Sequence, residues 1–138
     1  MSSEAADTAV LLTAAKKALE LYLDVRVDDD GTLTFAHSDV PCVVQAMQLA
    51  DGLAVLSLTC VVAWDLPDDP QLAAAVAERA GQGLFGTLGI VRTERGMDLT
   101  LRYAFPAQGL DPAPLGTLLM LVVSSASQVR SDLLRTGS

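Results

Sequence analysis

The sequence predicts an α+β domain in which an antiparallel sheet is flanked by helices, in the order α-β-β-β-α-β-β-α. Two turn signals predict the sheet, because Asp51-Gly52 and Glu94-Arg95-Gly96 each separate two runs of strand-like residues. Apolar residues repeat with the helical period near both ends of the chain, which predicts a helix at each end. Strands joined by such short turns pair antiparallel, so the sheet is expected to be antiparallel.

The predicted elements follow one another with short connections. Residues 4–22 are expected to form a helix, residues 23–27 to run extended into a turn, and residues 32–37, 41–49 and 53–65 to form strands. A helix over 70–80 then leads to strands at 84–93 and 97–105 and a long helix at 112–135. The last helix has apolar residues on one stripe, namely Leu115, Leu118, Leu119, Val122, Ala126, Val129 and Leu133.

The Asp51-Gly52 turn also predicts which residues share a face of the sheet. If Ala50 pairs with Leu53, a regular register puts Val43 opposite Cys60. The predicted core face then holds Val43, Met47, Leu49, Leu56, Leu58, Cys60, Val62 and Trp64, continued by Leu88, Ile90, Leu99, Leu101, Tyr103 and Phe105. The other face holds Cys42, Val44, Ala46, Val55, Ser57, Thr59, Val61 and Ala63. This second face is small and still apolar, so we expect the middle helix, a second subunit or a bound segment to cover it.

Composition limits the classes of function. The chain has 138 residues, of which 51% are hydrophobic, and this predicts a single domain over residues 1–138 with ample core and no disorder. A net charge of −8 argues against nucleic acid and against an acidic membrane surface as partners. No signal peptide is visible and the longest apolar run, residues 118–123, is too short to span a membrane. A cytoplasmic location is therefore expected.

Cys42 and Cys60 are too few for a disulfide framework or a zinc site. The regular register puts Cys42 opposite Val61, so the two sulfurs are expected on opposite faces of the sheet. The prediction is two reduced, partly buried thiols.

The acidic run in WDLPDDPQLA is the first candidate for chemistry. Pro70 suits the first turn of a helix, Asp69 suits the N-cap before it, and Asp68 suits the positive end of the helix dipole. Asp65 ends the preceding strand. Because no His or Cys ligand accompanies these carboxylates, we interpret the run as structural.

Other candidates also favour structural roles. The run 28–31, Asp-Asp-Asp-Gly, lacks the spacing of a calcium-binding loop and is typical of a turn. His37, Ser38 and Asp39 are neighbours in a strand, where alternate side chains point apart, so they do not form a triad. The glycine-rich passage 81–89 follows a helix and enters a strand, the reverse of a phosphate-binding loop. No catalytic residue, cofactor site or metal site is predicted.

The segments WDLPDDPQLAAAVAERAGQ, LFGTLGIVRTERGMDLTLRYAFP and AQGLDPAPLGTLLMLVV give a resemblance to a known family. The chain resembles the YbjN-like family over about residues 5–135, most specifically in the PDDP helix start and in the Gly-Leu-Asp-Pro sequence before the last helix. Members of that family share the fold of type III secretion chaperones and carry the label of sensory transduction regulators. The resemblance implies a small, acidic, non-enzymatic protein that forms a homodimer and binds another protein.

The leading hypothesis is a chaperone-like or adaptor domain that dimerises and binds a partner segment. Its candidate contacts all come from the second face: Val44, Ala46, Val55, Val61 and Ala63. The alternative is a small-molecule-binding regulatory domain with a pocket between the last helix and the sheet. An enzyme would need distant groups to converge, for example Asp98, Arg102 and Tyr103, of which Tyr103 is expected to point away from the other two.

Overall fold

The computed structural model describes residues 3–82 and 85–136. Within these ranges the elements are α1 (Ser3–Glu20), β1 (Arg26–Val27), β2 (Leu33–His37), β3 (Val40–Ala50), β4 (Leu53–Leu66), α2 (Pro70–Ala80), β5 (Thr87–Thr93), β6 (Gly96–Pro106) and α3 (Pro112–Thr136). The strands form an antiparallel sheet in the order β1-β2-β3-β4-β6-β5. The predicted α+β class is confirmed. The short β1 lies at the end of the segment predicted to run extended, and the predicted strand start at Leu84 lies outside the described residues.

The acidic run before α2 has the structural role that the sequence predicts. Asp69 has extended backbone angles, φ −116° and ψ 123°, and its carboxylate accepts a hydrogen bond of 2.9 Å from the N–H of Gln71. Pro70 is the first helical residue, where its missing N–H costs nothing. Gly81 ends the helix and donates its N–H to the Ala77 carbonyl at 3.2 Å. Asp69 is therefore the N-cap of α2, as predicted.

The β3–β4 hairpin has the predicted turn but not the predicted register. Ala50 pairs with Leu53 across Asp51-Gly52, and the next pair is Gln48 with Ala54, so Leu49 has no partner. This bulge shifts the remainder of β3 by one residue relative to a regular hairpin. Cys42 consequently pairs with Cys60 instead of facing Val61, and the two sulfurs lie on the same face.

The shift decides which residues of β3 face the core. We call the helix-packed side of the sheet the covered face and its reverse the open face. A contiguous hydrophobic core joins the covered face to residues of all three helices, including Leu19 of α1, Val76 of α2 and Leu119 of α3. Cys42, Val44 and Ala46 belong to this covered side, together with Leu56, Leu58 and Cys60 of β4. The middle helix therefore packs on the same side as the other two and does not cover the second face.

Three large residues predicted for the core lie at the surface instead. Met47 is 48% exposed and Leu49 61% exposed, because the bulge turns their part of β3 around. Trp64 is 46% exposed and lies beyond a further irregularity of β4 after Val61. Its ring is contacted by the Arg130 guanidinium of α3, 5.6 Å from the ring centroid. Val43, also predicted for the core, faces away from it in a half-buried position.

Helix α3 is the central helix of the core. Residues 112–134 contain an 18-residue stretch with a mean hydropathy of 1.3, so the helix is long and apolar enough to cross a membrane by those two measures. In the fold, however, the predicted apolar stripe of α3 is turned toward the sheet, with Leu115, Leu119, Val122, Ala126 and Val129 fully buried. The hydropathy of α3 is that of a core helix.

Candidate functional site

The open face is the side of the sheet that no helix of the described chain covers. Strand pairing arranges its residues in rows that run across the sheet. The longest row is Arg26, Thr34, Val43, Thr59, Arg102 and Thr87, and its neighbours are Gln45–Ser57–Ala104, Met47–Val55–Pro106 and Val61–Thr100–Gly89. Since strands lie roughly 4.8 Å apart and same-face residues roughly 6.8 Å apart along a strand, the patch measures about 20 Å on each side.

Small side chains make the open face flat and chemically mixed. Val55 and Thr100 are nearly buried by their neighbours, and Val43, Thr59 and Val61 are half-buried. Toward the margins, the rows end in exposed residues such as Met47, Ala104 and Thr87. The surface therefore offers valine side chains and hydroxyl groups in alternation, and another protein chain can approach it closely.

Only part of the predicted contact set lies on this face. Val55 and Val61 of β4 are on the open face, where the sequence places them. Val44 and Ala63 are buried in the hydrophobic core, and Ala46 packs against it on the covered side. The physical reason is the bulge at Leu49 for Val44 and Ala46, and a second register shift between Val61 and Ala63 for Ala63. This corrects the predicted face of those three residues.

Arg102 is the feature of the open face that the sequence does not single out as a contact. Its side chain is exposed, and it has no hydrogen bond or ion pair among the described residues. A groove of about 600 Å³ lies beside it, lined by Ser57, Gly86, Thr87, Arg102, Tyr103 and Ala104. The open face therefore combines a free guanidinium, hydroxyl groups and an indentation next to them.

The carboxylate nearest to Arg102 on its own strand and face is already engaged. Asp98 lies four residues away on β6, roughly 13 Å along the strand, and its Oδ1 accepts a hydrogen bond of 2.9 Å from the N–H of Asp65. The register puts Asp98 and Arg102 on the open face and Tyr103 on the covered face, as predicted. These three groups do not converge on one point, so the arrangement does not form a catalytic set.

The other acidic groups stabilise turns and strand ends. Asp30 accepts a hydrogen bond of 3.0 Å from the N–H of Thr32, and this bond holds the pKa of the Asp30 carboxyl below its usual value. Asp68 pairs with Arg92 at 3.5 Å. Among the described residues, no group of three or more His, Cys, Asp or Glu side chains lies close enough to hold a metal ion.

His37 lies at the margin of a second groove, between α3 and the β2–β3 turn. The groove has a volume of about 390 Å³ and is lined by polar residues, namely His37, Ser38, Asp39, Ser124, Ser127, Gln128, Arg130 and Ser131, with Leu134 beside them. The Ser127 hydroxyl donates to the backbone carbonyls of Val123 (3.3 Å) and, more weakly, His37 (3.5 Å). Because the imidazole of His37 is not a partner in either bond, the groove lacks the nucleophile–base pair of a hydrolase.

Comparison with known proteins identifies the family. The family model YbjN, described as "Putative bacterial sensory transduction regulator", matches residues 8–135. The chain belongs to the YbjN family. No curated protein matches the chain.

Solved structures show that the fold of this YbjN-family chain is shared with proteins from two complexes, one of them a chaperone-effector complex. The crystal structure of the ExsC-ExsE complex matches with a TM-score of 0.59 and 18% identity, covering 96% of this chain and 97% of the other. The structure of the HopA1-SchA chaperone-effector complex matches with a TM-score of 0.56 and 17% identity, covering 94% of this chain and 99% of the other. The predicted chaperone-like fold is thereby confirmed. At this level of identity the likeness concerns the fold and not the activity.

One pattern in the YbjN-family sequence predicts the face on which Arg102 lies. The residue lies in the alternating segment 98–104, where Leu99, Leu101 and Tyr103 mark the covered side and the residues between them mark the reverse. The sequence does not predict that β6 lies beside β4. β5 precedes β6 in the chain but lies at the edge of the sheet. Only this strand order brings Arg102 next to Thr59.

Proposed function

We propose that this YbjN-family chain is a non-enzymatic protein-interaction domain that binds a segment of a partner protein on its open face. The observation that carries the proposal is the uncovered sheet face, in which Val43, Val55 and Val61 alternate with hydroxyl groups around a free Arg102. An interface needs apolar area for affinity and a few polar groups for specificity. The open face supplies both.

The solved relatives support a protein as the ligand. Both are complexes of two proteins, ExsC with ExsE and the chaperone SchA with the effector HopA1. A shared fold does not transfer a partner, but it gives precedent for a sheet-and-helix domain of this size that holds another chain. The family and these relatives are regulators and chaperones, in keeping with a domain that lacks converging catalytic groups in its described residues. We place the protein in the cytoplasm.

We further propose a homodimer that forms through the outer edge of the sheet. β5 is the terminal strand, so its outer backbone groups have no strand partner within the described residues. Val91 on this strand is 41% exposed, and Phe85 just before it is also exposed. An uncovered edge with apolar side chains is prone to pair with another chain. Pairing of two β5 strands would leave the open face free for the partner segment.

The dimer is tested by sedimentation equilibrium at high micromolar concentration. We expect twice the mass of the 14.4 kDa chain for the wild type and a lower dimer fraction for Val91→Asp. Asp is chosen because a charge on an edge strand opposes edge-to-edge pairing. A wild-type monomer at these concentrations would overturn the dimer and leave the binding of a segment as a separate question.

The binding function is tested by blocking the open face. Ala104 is exposed at the end of its row and lines the groove beside Arg102, so Ala104→Tyr adds bulk there without changing the core. Leu121→Tyr on the exposed side of α3 is the matched control. Affinity capture from the native host should retain a specific protein on wild type and Leu121→Tyr and lose it on Ala104→Tyr. Equal capture by all three variants, or no specific capture by any, would overturn the proposal.

A small-molecule regulatory domain is the second candidate, and the groove between α3 and the β2–β3 turn favours it. The groove offers the Ser124 and Ser131 hydroxyls and the Arg130 guanidinium to a polar ligand. Part of the binding capacity of Arg130 is already used, because it donates a hydrogen bond of 2.8 Å to the Val62 carbonyl. A metabolite that raises the melting temperature of the wild type, but not of Ser131→Tyr, would favour this candidate over the first.

A further inference from the structure

We propose that the segment bound on the open face carries an aspartate or glutamate that pairs with Arg102, flanked by small apolar side chains. This inference rests on the proposed function and adds the chemistry of the partner. The geometry that carries it is the place of Arg102 within the rows of the open face.

Arg102 lies inside the patch and not at its margin. Thr59 of β4 is opposite it on one side and Thr87 of β5 on the other. Two residues along each neighbouring strand lie Val61 and Gly89, and the small valine and the glycine, which has no side chain, leave the guanidinium accessible. The side chain is exposed and without a partner in the described residues. A docked segment would therefore shield Arg102 from water, and a charge shielded in this way needs a partner.

The other charges that face this side are distant or engaged. Arg26 lies on β1, opposite Thr34, at the far edge of the sheet. Asp98 lies toward the other end of β6 and binds the N–H of Asp65. Among the four rows of the described sheet, the charged residues are Arg102 and, at the far end of the same row on β1, Arg26. The centre of the face is positive although the whole chain has a net charge of −8.

The open face and the whole molecule have opposite charge, and this contrast indicates the sign of the charge on the partner segment. The field of the acidic molecule attracts basic chains from a distance. On the open face itself, a Lys or Arg would meet Arg102, and like charges brought together across an interface are costly. A carboxylate instead accepts charge-assisted hydrogen bonds from the guanidinium fork. A segment with an acid at this position therefore fits close docking better than one with a base.

Size and shape favour a segment over a second globular copy. A patch about 20 Å on each side has an area on the order of 400 Å², so its occupation would bury roughly 800 Å² in total, about half of a standard stable interface. Val43 and Val61 are half-buried beside Thr59 and Thr100, and this low relief suits Val, Ala or Thr better than aromatic rings. The occupant is accordingly a short stretch of chain with an acid between small apolar residues.

The test uses the full chain and a library of random twelve-residue peptides displayed on phage. We expect peptides enriched on the wild type to share one Asp or Glu next to small apolar residues. Binding of a synthetic copy should weaken about 5- to 30-fold on Arg102→Gln and less than about 2-fold on Arg92→Gln. Arg92 is a matched control because it is exposed and lies outside the open face, where it pairs with Asp68. Melting temperatures verify that both variants fold.

The second half of the test changes the peptide instead of the protein. Replacing its acid by the corresponding amide should reduce binding by a similar factor, and combining this change with Arg102→Gln should add little further loss. Enriched peptides that lack an acid and lose affinity only on Ala104→Tyr would overturn the role of Arg102 and retain segment binding. Peptides that bind Ala104→Tyr as well as wild type, or a failure to enrich any peptide, would overturn both.

Discussion

Cys42 and Cys60 lie directly opposite each other on β3 and β4, and their Sγ atoms are 3.4 Å apart. Both are free thiols that are shielded from solvent under the helices. The hydrogen bond to Cys60 and burial raise the pKa of the Cys42 thiol far above its ordinary value of 9.0. The cause is that ionisation would leave an anion in the apolar core beside a second sulfur.

The first prediction concerns the reactivity of these thiols. Because the thiolate is the reactive form, the folded protein should react slowly with Ellman's reagent from pH 7 to 9, while the chain unfolded in guanidinium reacts rapidly with both thiols. The raised pKa also means that the thiol stays protonated in the folded state while the unfolded chain ionises. This contribution to stability is present below about pH 9 and is lost as the pH rises above it. Fast labelling of the native protein at pH 7 would contradict the buried pair.

The second prediction tests the helix cap. Asp69→Ala removes the acceptor of the Gln71 N–H and should lower the free energy of unfolding by about 1 kcal/mol, measured by urea denaturation. Asp68→Ala is the control, since its ion pair with Arg92 is exposed and such pairs contribute little. Equal effects of the two substitutions would show that charge near the helix start matters and the cap does not.

The third prediction uses two glycines on neighbouring strands. Gly96 has a φ of +135°, and an added Cβ would overlap the carbonyl oxygen of Leu66 on β4. Gly96→Ala should therefore destabilise the protein by roughly 2–4 kcal/mol. A Cβ at Gly89 meets nothing within 4 Å, so Gly89→Ala should be neutral or slightly stabilising. Thermal unfolding of both variants distinguishes destabilisation by the close contact at Gly96 from a general effect of replacing glycine.

Features that depend on neighbouring residues could be predicted from the sequence. Asp69, Pro70 and Gly81 act through local backbone rules, and α2 has the predicted bounds. The Asp51-Gly52 turn likewise depends on two adjacent residues with the required backbone freedom. These local signals are sufficient for the order of all elements except the two-residue β1, and for the antiparallel pairing.

The faces of β3 could not be predicted in the same way. The amino-acid type of Leu49 does not indicate a bulge at that position. The bulge forms because the whole strand must fit against the core. A regular hairpin exposes Val44 and buries Met47, while the bulge reverses both. The candidate site inherited this difference. Val55 and Val61 of β4 lie on the face that the sequence predicts, whereas Val44 and Ala46 of β3 and Ala63 of β4, which follows a second register shift, do not. Arg102 depends on a strand order that the sequence does not state.

The last prediction tests whether the bulge alone sets the register. Deleting Leu49 would leave Gln48 directly before Ala50, so the pairs Gln48–Ala54 and Ala50–Leu53 would become consecutive and the rest of β3 would keep its partners. Because Leu49 is mostly exposed, we expect this deletion to change the free energy of unfolding by less than about 1 kcal/mol. Deleting Gln45, which is also exposed, would instead remove the bulge by making the hairpin regular. Val44 and Cys42 would keep their partners, while Ala46 would turn to the open face and Met47 to the covered face. That variant should unfold at a lower urea concentration than the Leu49 deletion, because Met47 then replaces Ala46 against the core, while its thiols stay protected from Ellman's reagent. If both deletions were equally harmful, the register would depend on Leu49 itself and not on the residues that face the core.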